Sequence, residues 1–240
     1  MPYSLLRKKW SHNGPLWRAI AAAALLSACA SIQSAAISTV AAFTPSVEAA
    51  EIVAGPPSGA LFEAEAQAVR GPWSEVRVAQ ARADDRFDAF SAFAPALGGG
   101  FTEANYPLTK AALERVLAPL GAAIGVAKNR YDRERPFEVD SAVITCIETS
   151  DRIRASGSYP SGHAAFGWAW GLVLAELDPA HADAILGRAR EFGDSRVVCG
   201  LHYPSDVEAG RTIAAAALAR LHAEPGFREA LDAARAEFQR

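Results

Sequence analysis

Three short segments of this 240-residue chain contain the side chains best suited to chemistry. They are Lys128 with Arg135-Pro136, the run Gly157-Ser158-Tyr159-Pro160-Ser161-Gly162-His163, and Ser195-Arg196 with His202 and Asp206. Each has an ordinary structural explanation when it is taken alone: a helix cap, a turn that opens a helix, or a surface ion pair. Together they suit a binding site for an anion, since they combine permanent positive charge with the start of a helix.

Ser161 and Gly162 lie just before a helix that is predicted to begin near Ala164. Their backbone N–H groups and the Ser161 hydroxyl can point at an anion bound at the positive end of that helix. Glycine lets the backbone approach a ligand closely. Positive charge would come from three side chains, of which the arginines can bind two phosphate oxygens at once: Lys128, Arg135 and Arg196.

His163 and His202 are the histidines that stand beside these groups in the sequence. Two histidines and three cations around an anion suit phosphoryl transfer. In such a reaction one histidine attacks phosphorus and the other protonates the leaving oxygen. The residue types therefore favour a reaction on a phosphate ester.

Helices must position these residues, because apolar side chains recur at three- and four-residue spacing and few stretches alternate with period two. The sequence predicts an all-α, single-domain helical bundle. Gly98-Gly99-Gly100 should break the helical pattern, and residues 136–160 should form a long connection with short helical pieces. Helices are predicted over 61–70, 73–93, 108–131 with a kink or interruption at Pro119, 164–177, from Asp178-Pro179 to about 192, 204–221, and from Pro225 onwards.

The predicted organisation has three parts. Residues 1–50 form a signal peptide and leader, residues 51–80 a linker and the first helix, and residues 81–240 the helical domain. The overall composition is that of a globular protein, with 50% apolar and 21% charged residues. A net charge of −3 argues against a nucleic-acid-binding protein, because a phosphate backbone requires a basic surface.

The N-terminal segment predicts export. Basic residues up to Arg18 precede an uncharged run from Ala19 to Val47, as in a signal peptide. Cleavage after Ala49 or Ala30 would release a periplasmic or secreted protein. Lipidation of Cys29 within a lipoprotein-like sequence is one alternative, and an uncleaved anchor is another, since the run is long enough to span a bilayer.

Two of the three cysteines, Cys146 and Cys199, lie outside the leader, where an exported protein would meet oxidising conditions. Cys199 stands between Arg196 and His202, and Cys146 lies in the connection between the first two chemical segments. Because those segments must converge on one anion, we predict a Cys146–Cys199 disulfide. The alternative is a pair of buried, unpaired thiols.

The three segments match the three-part signature of the type 2 phosphatidic acid phosphatase and vanadium haloperoxidase superfamily. Within it, the run Gly157-Ser158-Tyr159-Pro160-Ser161-Gly162-His163 resembles the bacterial class A non-specific acid phosphatases. The resemblance extends from about Ala81 to Arg240 and includes Ser195-Arg196-Val197-Val198-Cys199-Gly200. It departs at Ala164, where the class A enzymes usually have threonine, and it is weak from Glu51 to Gln80.

This resemblance implies the helical fold of that superfamily and a role for each site residue. His202 would be the nucleophile that forms a phosphohistidine, Asp206 would orient it, and His163 would be the general acid. A carboxylate that holds one ring nitrogen as N–H leaves a lone pair on the other nitrogen, which suits this assignment. Phosphate would be held by Lys128, Arg135, Ser161, Gly162, His163 and Arg196.

The resemblance also implies a metal-independent acid phosphatase without a cofactor. Its substrates would be small phosphate monoesters, and the enzyme would be a homo-oligomer. It would have no nucleic-acid partner and would touch a membrane only through an N-terminal lipid or anchor. Four alternatives remain open: a vanadate-dependent haloperoxidase, a phosphotransferase that uses the same phosphohistidine, a lipid or other specialised phosphatase, and a non-enzymatic anion-binding or structural helical protein. The short chain argues against the haloperoxidase.

Overall fold

A computed structural model describes residues 52–239, and the leader therefore lies outside the described residues. The described part contains eleven α-helices and no β-strand, which confirms the all-α prediction. A 3-10 helix, Pro179–His181, precedes the ninth α-helix. The α-helices are α1 Ala60–Arg70, α2 Glu75–Ala83, α3 Ala89–Leu97, α4 Pro107–Glu114, α5 Leu117–Tyr131, α6 Pro136–Val139, α7 Asp151–Arg154, α8 Gly162–Leu177, α9 Ala182–Val198, α10 Pro204–Leu221 and α11 Pro225–Arg235.

Helix α8 lies at the centre of this bundle and packs mainly against α9 and α10. Its sequence is apolar on all sides, as expected for a helix that other helices surround. Trp170 and Leu174 of α8, Phe192 of α9 and Ile213 of α10 are buried in one cluster. Burial of each such side chain contributes about 1.5–3 kcal/mol, so α9 and α10, which flank the turn that carries His202, are firmly attached to α8.

Gly210 allows α10 to lie very close to the start of α8. A Cβ atom at this position would collide with the backbone carbonyl of Ser161. Nearby, the backbone N–H of Ser161 donates to the carbonyl of Asp206 at 2.8 Å. The first turns of α8 and α10 are therefore held side by side, which brings the second and third chemical segments together.

The single helix predicted over 73–93 is wrong, because the chain leaves the helical path between Ala83 and Ala89. Two aspartates explain the break. Asp84 is buried and directs its carboxylate to Arg188 and Ser195, and Asp88 accepts from the backbone N–H of Phe90 to cap α3. A side chain that bonds tertiary partners or caps a new helix stops the periodicity that the apolar residues suggest.

The helix predicted over 108–131 is also divided, but at Arg115-Val116 rather than at Pro119. Pro119 lies in the first turn of α5, where its missing N–H costs no intrahelical hydrogen bond. Two other boundaries differ from the prediction. Helix α8 begins at Gly162, and Asp178-Pro179 opens a 3-10 turn before α9, which continues to Val198.

Glu237, near the C-terminal end of the described residues, caps helix α4. Glu237 is 4% exposed, and its carboxylate accepts from the backbone N–H groups of Leu108 and Thr109 at 2.9 and 2.8 Å. It also accepts from the Thr109 hydroxyl at 2.7 Å. Glu237 thus replaces a local cap at the start of α4, which has no side-chain cap of its own.

Between residues 52 and 239 the chain forms no helix that has both the length and the apolar character needed to span a bilayer.

Candidate active site

His202 lies in the short turn between α9 and α10. Gly200, with φ of 70°, reverses the chain after α9, and Pro204 starts α10 directly after Tyr203. The Nδ1 atom of His202 lies 3.4 Å from Oδ2 of Asp206, and its Nε2 atom lies 3.2 Å from Nη1 of Arg135. Because a guanidinium only donates, Nε2 must be the acceptor and Nδ1 must carry the proton. This is the tautomer that presents a lone pair on Nε2.

Asp206 is fully buried and is held as a carboxylate by several donors. Its Oδ2 accepts from the Ser158 hydroxyl at 2.5 Å and from the backbone N–H of Tyr203 at 2.8 Å. Its Oδ1 accepts from Nη1 of Arg133 at 2.6 Å. Burial acts to raise the pKa of Asp206, but the hydrogen bond from His202, the Arg133 charge and the hydrogen bond from the Ser158 hydroxyl outweigh it, so the pKa is lowered.

The surroundings of His202 keep its ring neutral. Burial lowers the pKa of His202 from 6.5 to about 3, and the nearby charges of Arg135 and Lys128 add to that effect against the opposing influence of Asp206. A histidine in such a site stays unprotonated in mildly acidic solution. The Nε2 lone pair is therefore available as a nucleophile under acidic conditions.

His163 lies in the first turn of α8, with its ring packed against Phe192 at a centroid distance of 4.6 Å. Its Nε2 atom lies 2.6 Å from the backbone carbonyl of Asp84, which can only accept, so Nε2 carries a proton. Burial and then the charge of Arg196 lower the pKa of His163 to about 3. Because Nε2 is engaged, Nδ1 is the nitrogen that can exchange a proton with a ligand.

Arg196 presents donors to the same region. Its Nη2 donates to Oδ1 of Asp85 at 3.0 Å, whereas its Nε and Nη1 atoms are buried and meet no hydrogen-bond partner among the described residues. Buried guanidinium nitrogens are almost always bonded, since an unpaired buried donor loses its hydration without compensation. Two such atoms in one side chain indicate a place for an anionic ligand.

Arg135 and Lys128 are anchored by backbone carbonyls. Arg135 donates from Nη1 to Leu201 at 2.9 Å and from Nε to Ile153 and Ser156. Lys128 Nζ donates to the carbonyl of Gly157. Burial lowers the pKa of Lys128 to about 8, with a further contribution from Arg135, while Asp206 opposes the shift. A bound anion would relieve the repulsion between these cations.

Ser161 and Gly162 occupy the start of α8 as N-cap and first residue, and the Ser161 hydroxyl accepts from the N–H of Ala164 at 3.3 Å. The Ser161 N–H is bonded to the carbonyl of Asp206 and is therefore not available to an anion, which corrects the expectation from sequence. The N–H groups of Gly162 and His163 lie in the first turn of the helix, where no preceding carbonyl within the helix accepts from them. They can therefore donate to a bound anion.

The structure brings the predicted residues together in two linked groups. Lys128, Arg135, His202 and Asp206 form one group, and His163 and Arg196 meet at the turn after α2 through Asp84 and Asp85. The backbone carbonyl of Arg196 accepts from the N–H of His202, which joins the groups. The two groups are thus linked through the turn between α9 and α10.

Several supporting residues were not singled out from the sequence: Glu65, Asp84, Asp85, Arg133 and Ser158. Arg133 stands between Lys128 and Arg135, and Ser158 lies within the second segment. Their positions in the sequence could therefore have marked both as candidate site residues. Glu65, Asp84 and Asp85 are acidic residues in amphipathic helical sequence, where nothing separates them from solvated surface residues.

Cys146 and Cys199 form a disulfide with a Cα–Cα distance of 4.6 Å. The N–H of Cys146 also donates to the carbonyl of Cys199 at 3.3 Å. The bond attaches the long connection after α6 to the end of α9. It therefore fixes the connection beside the turn that carries His202.

Comparison with known proteins supports a common origin for this arrangement. Residues 112–226, which include both histidines and all three cations, match the family model of the PAP2 superfamily. The chain is similar to a non-specific acid phosphatase of Providencia stuartii, with 42% identity over 149 residues, or 62% of this chain and 60% of that protein. It is also similar to an acid phosphatase of Zymomonas mobilis subsp. mobilis, with 42% identity over 149 residues, or 62% and 56% of the two chains.

A non-specific acid phosphatase of Salmonella typhimurium is 40% identical over 146 residues, which are 60% of this chain and 58% of that protein. The chain spans somewhat less than two thirds of the length of the curated relatives it matches. Residues 112–226 contain the side chains that contact His202 and the three cations, whereas the supporting residues Glu65, Asp84 and Asp85 lie outside this range. The match to the PAP2 superfamily thus covers slightly less than half of this chain, and it includes His163, Arg196 and His202.

Proposed function

We propose that the protein is a metal-independent acid phosphatase that hydrolyses phosphate monoesters through a phosphohistidine on His202. The observation that carries the proposal is the neutral His202 ring held between Asp206 and Arg135, together with two Arg196 donors that meet no partner among residues 52–239. The names of the three relatives, which are all acid phosphatases, support the same activity.

The substrate binds first to the Arg196 nitrogens that have no partner among the described residues. The phosphoryl oxygens accept from Nε and Nη1 of Arg196, and the N–H groups at the start of α8 add to this contact. The Nη1 atom of Arg135 can turn from His202 to a phosphoryl oxygen, which frees the Nε2 lone pair. Together with Lys128, the two arginines neutralise the charge that spreads over the equatorial oxygens in the transition state.

In the first step the Nε2 atom of His202 attacks phosphorus, and the bond from phosphorus to the ester oxygen breaks. The Nδ1 proton stays on His202, where the Asp206 carboxylate stabilises the charge that develops on the ring. The Nδ1 atom of His163 gives its proton to the leaving oxygen. The products of this step are the alcohol and the phosphohistidine.

In the second step a water molecule attacks the same phosphorus from the side that the alcohol left. Neutral His163 accepts a proton from that water, and the bond between phosphorus and Nε2 of His202 breaks. Inorganic phosphate leaves, and both histidines return to their starting protonation. No step requires a redox change or a metal ion.

An acidic working pH follows from the different tasks of the two histidines. His163 must be protonated before the first step, and a bound phosphate dianion offsets the burial and the Arg196 charge that lower its pKa. His202 must be neutral, and its pKa of about 3 keeps it so in acid. The proposal therefore requires that the bound phosphate raise the pKa of His163 above that of His202, so that acid protonates the proton donor first.

The same proposal includes export to the periplasm or the medium. The Cys146–Cys199 disulfide supports it, because such bonds persist in oxidising compartments. The basic and then uncharged leader supports it independently. Assembly into a homo-oligomer is part of the proposal and rests only on the family resemblance.

The test is a rapid acid quench and base quench with phosphorus-labelled p-nitrophenyl phosphate, run with EDTA present. We expect protein-bound label that survives base and is lost in acid, as for a phosphoramidate. His202→Ala should remove the label and the turnover. His181→Ala, which changes an exposed histidine, is the matched control and should retain both.

A vanadate assay separates the phosphatase from the haloperoxidase. It should inhibit the phosphatase because it mimics the five-coordinate phosphorus of the transition state. Oxidation of bromide by hydrogen peroxide in the presence of vanadate would instead identify a haloperoxidase. Activity that EDTA abolishes and zinc or magnesium restores would contradict the metal-free mechanism.

A further inference from the structure

The turn between α2 and α3 places an aromatic side chain beside the proton donor. Phe87 has a centroid distance of 5.8 Å to the ring of His163, with the two planes at 62°. It is 49% exposed, although it is a large apolar side chain. An exposed phenylalanine in contact with a catalytic group is a surface that a ligand can cover.

Phe87 is held in place by its neighbours. Its ring meets Phe166 edge-on at 5.1 Å and Trp170 at 4.8 Å, and Trp170 is almost fully buried in the core. The turn is anchored on both sides, since Asp84 bonds Arg188 and Asp88 caps α3. The aromatic surface is therefore fixed before a ligand arrives, so binding to it costs little conformational entropy.

The reaction geometry determines which part of a substrate reaches Phe87. In a phosphoryl transfer the attacking and leaving atoms lie roughly in line through phosphorus. With His202 on one side, the ester oxygen must lie on the other side, within reach of His163. The carbon group attached to that oxygen therefore continues past the His163 ring, where Phe87 is the exposed side chain that contacts this ring.

We propose, on the basis of the phosphatase activity proposed above, that Phe87 is a specificity-determining residue that selects aromatic leaving groups. Planar aromatic alcohols can pack against its ring in stacked or edge-to-face geometry, which saturated groups of the same size cannot match. The favoured substrates are thus phosphate monoesters whose leaving group has an aromatic ring close to the ester oxygen.

The charged groups beside Phe87 balance one another. The carboxylate of Asp85 is 40% exposed and lies 3.0 Å from Nη2 of Arg196, and the partly exposed Asp88 is paired with Arg86 at 3.6 Å. The proposed selection therefore rests on the aromatic ring and not on charge.

The test compares benzyl phosphate with cyclohexylmethyl phosphate. The two leaving alcohols are similar in size and acidity, and they differ mainly in whether the ring is aromatic. We expect the wild-type chain to favour the benzyl ester by about 2- to 10-fold in kcat/KM, the range that one aromatic pair supplies. Phe87→Leu should bring the ratio close to one, and Phe87→Tyr should preserve it.

Trp73→Leu is the matched control, because Trp73 is an aromatic residue of similar exposure, 41%, that lies between α1 and α2. It should leave the ratio unchanged. If the wild-type chain and Phe87→Leu hydrolyse both esters with the same ratio, Phe87 does not select the leaving group. If neither ester is hydrolysed by the wild-type chain, the phosphatase proposal itself fails. Loss of the preference in Phe87→Tyr, with an unchanged melting temperature, would also overturn the inference.

Discussion

The Nη1 atom of Arg133 lies 2.6 Å from Oδ1 of Asp206, the carboxylate oxygen that His202 does not contact. The same guanidinium lies 3.9 Å above the ring of Tyr203 and donates from Nη2 to Glu65 at 3.0 Å. Only 8% of the Arg133 side chain is exposed, so these interactions are poorly screened by solvent. Arg133 therefore supports the ionised state of Asp206 without contacting His202.

Replacing Arg133 by glutamine should shift the acid limb of kcat to higher pH. Without the guanidinium the pKa of Asp206 rises, so its carboxylate becomes protonated earlier as the pH falls and no longer holds the Nδ1 proton of His202. A pH series of kcat with p-nitrophenyl phosphate measures this shift. We also expect a loss of about 3–5 kcal/mol in the free energy of unfolding, since one partner of a buried ion pair is removed.

Arg190→Gln is the control for Arg133→Gln because it removes an exposed arginine side chain. It should change neither the pH profile nor the free energy of unfolding by a measurable amount. Arg133→Lys should recover part of the wild-type profile, since it restores charge without the two-pronged geometry. A profile of Arg133→Gln that coincides with that of the wild-type chain would show that Arg133 only stabilises the fold.

His163→Ala should affect esters according to the basicity of their leaving groups. p-Nitrophenol leaves without a proton, so phosphorylation of His202 should stay fast, whereas glycerol phosphate should react far more slowly, by about 10²–10⁴-fold. Water attack should also be slowed, so labelled phosphohistidine should accumulate during turnover of p-nitrophenyl phosphate. Equal losses on both esters, with no accumulation, would remove the acid and base roles from His163.

Acid should destabilise the fold through the two histidines. The pKa values of His163 and His202 are lowered from 6.5 to about 3, mainly by burial, so between these values the unfolded chain binds more protons than the folded one. The free energy of unfolding should therefore fall as the pH drops from about 6.5 to 3, by up to about 1.4 kcal/mol per pH unit for each histidine, and should level off below.

Chemical denaturation between pH 7 and 4 measures this dependence. His202→Asn should show a shallower decline than the wild-type chain, because the variant lacks one of the two titrating groups. Inorganic phosphate should raise the stability of the wild-type chain at pH 5, since the anion binds only the folded site. Identical slopes for both proteins would mean that His202 does not titrate differently on unfolding.

Reduction of the Cys146–Cys199 bond should lower stability by about 2–4 kcal/mol, because the bond closes a loop with a sequence separation of 53 residues. We expect no free thiol from this pair in the denatured, non-reduced mature protein and a lower melting temperature after treatment with dithiothreitol. The double variant Cys146→Ala/Cys199→Ala is the control, since its melting temperature should not respond to the reductant. A wild-type chain that is equally insensitive would contradict the prediction.

The main helices and the candidate site were predictable because they rest on local signals. Apolar spacing indicated the helices from 164 to 221, and the three segments already contained His163, Arg196 and His202. The proline at the start of α10 and the serine before α8 gave two helix starts to within two residues. These features can be predicted from neighbouring residues alone, without knowing which distant residues are in contact.

The turn from Asp84 to Asp88 was not predictable for the opposite reason. Its path depends on Arg188 and Ser195, more than 100 positions later in the chain, which take the Asp84 carboxylate. Helical periodicity continues through this stretch of sequence, so the pattern alone favours one long helix. The contacts of Phe87 and Asp85 with the site could be recognised only once this turn was known.

The hydrogen bonds between Glu237 and the start of α4 can form only late in the synthesis of the chain. Thr109 and Leu108 obtain their acceptor 128 and 129 residues later, so during translation α4 lacks this cap until residue 237 has been made. Contacts between residues so far apart in sequence form late in folding, because the two distant segments must meet before the contact stabilises either of them. Ribosome-bound chains that stop before residue 237 should therefore expose α4 to protease, whereas released chains that include residue 237 should protect it.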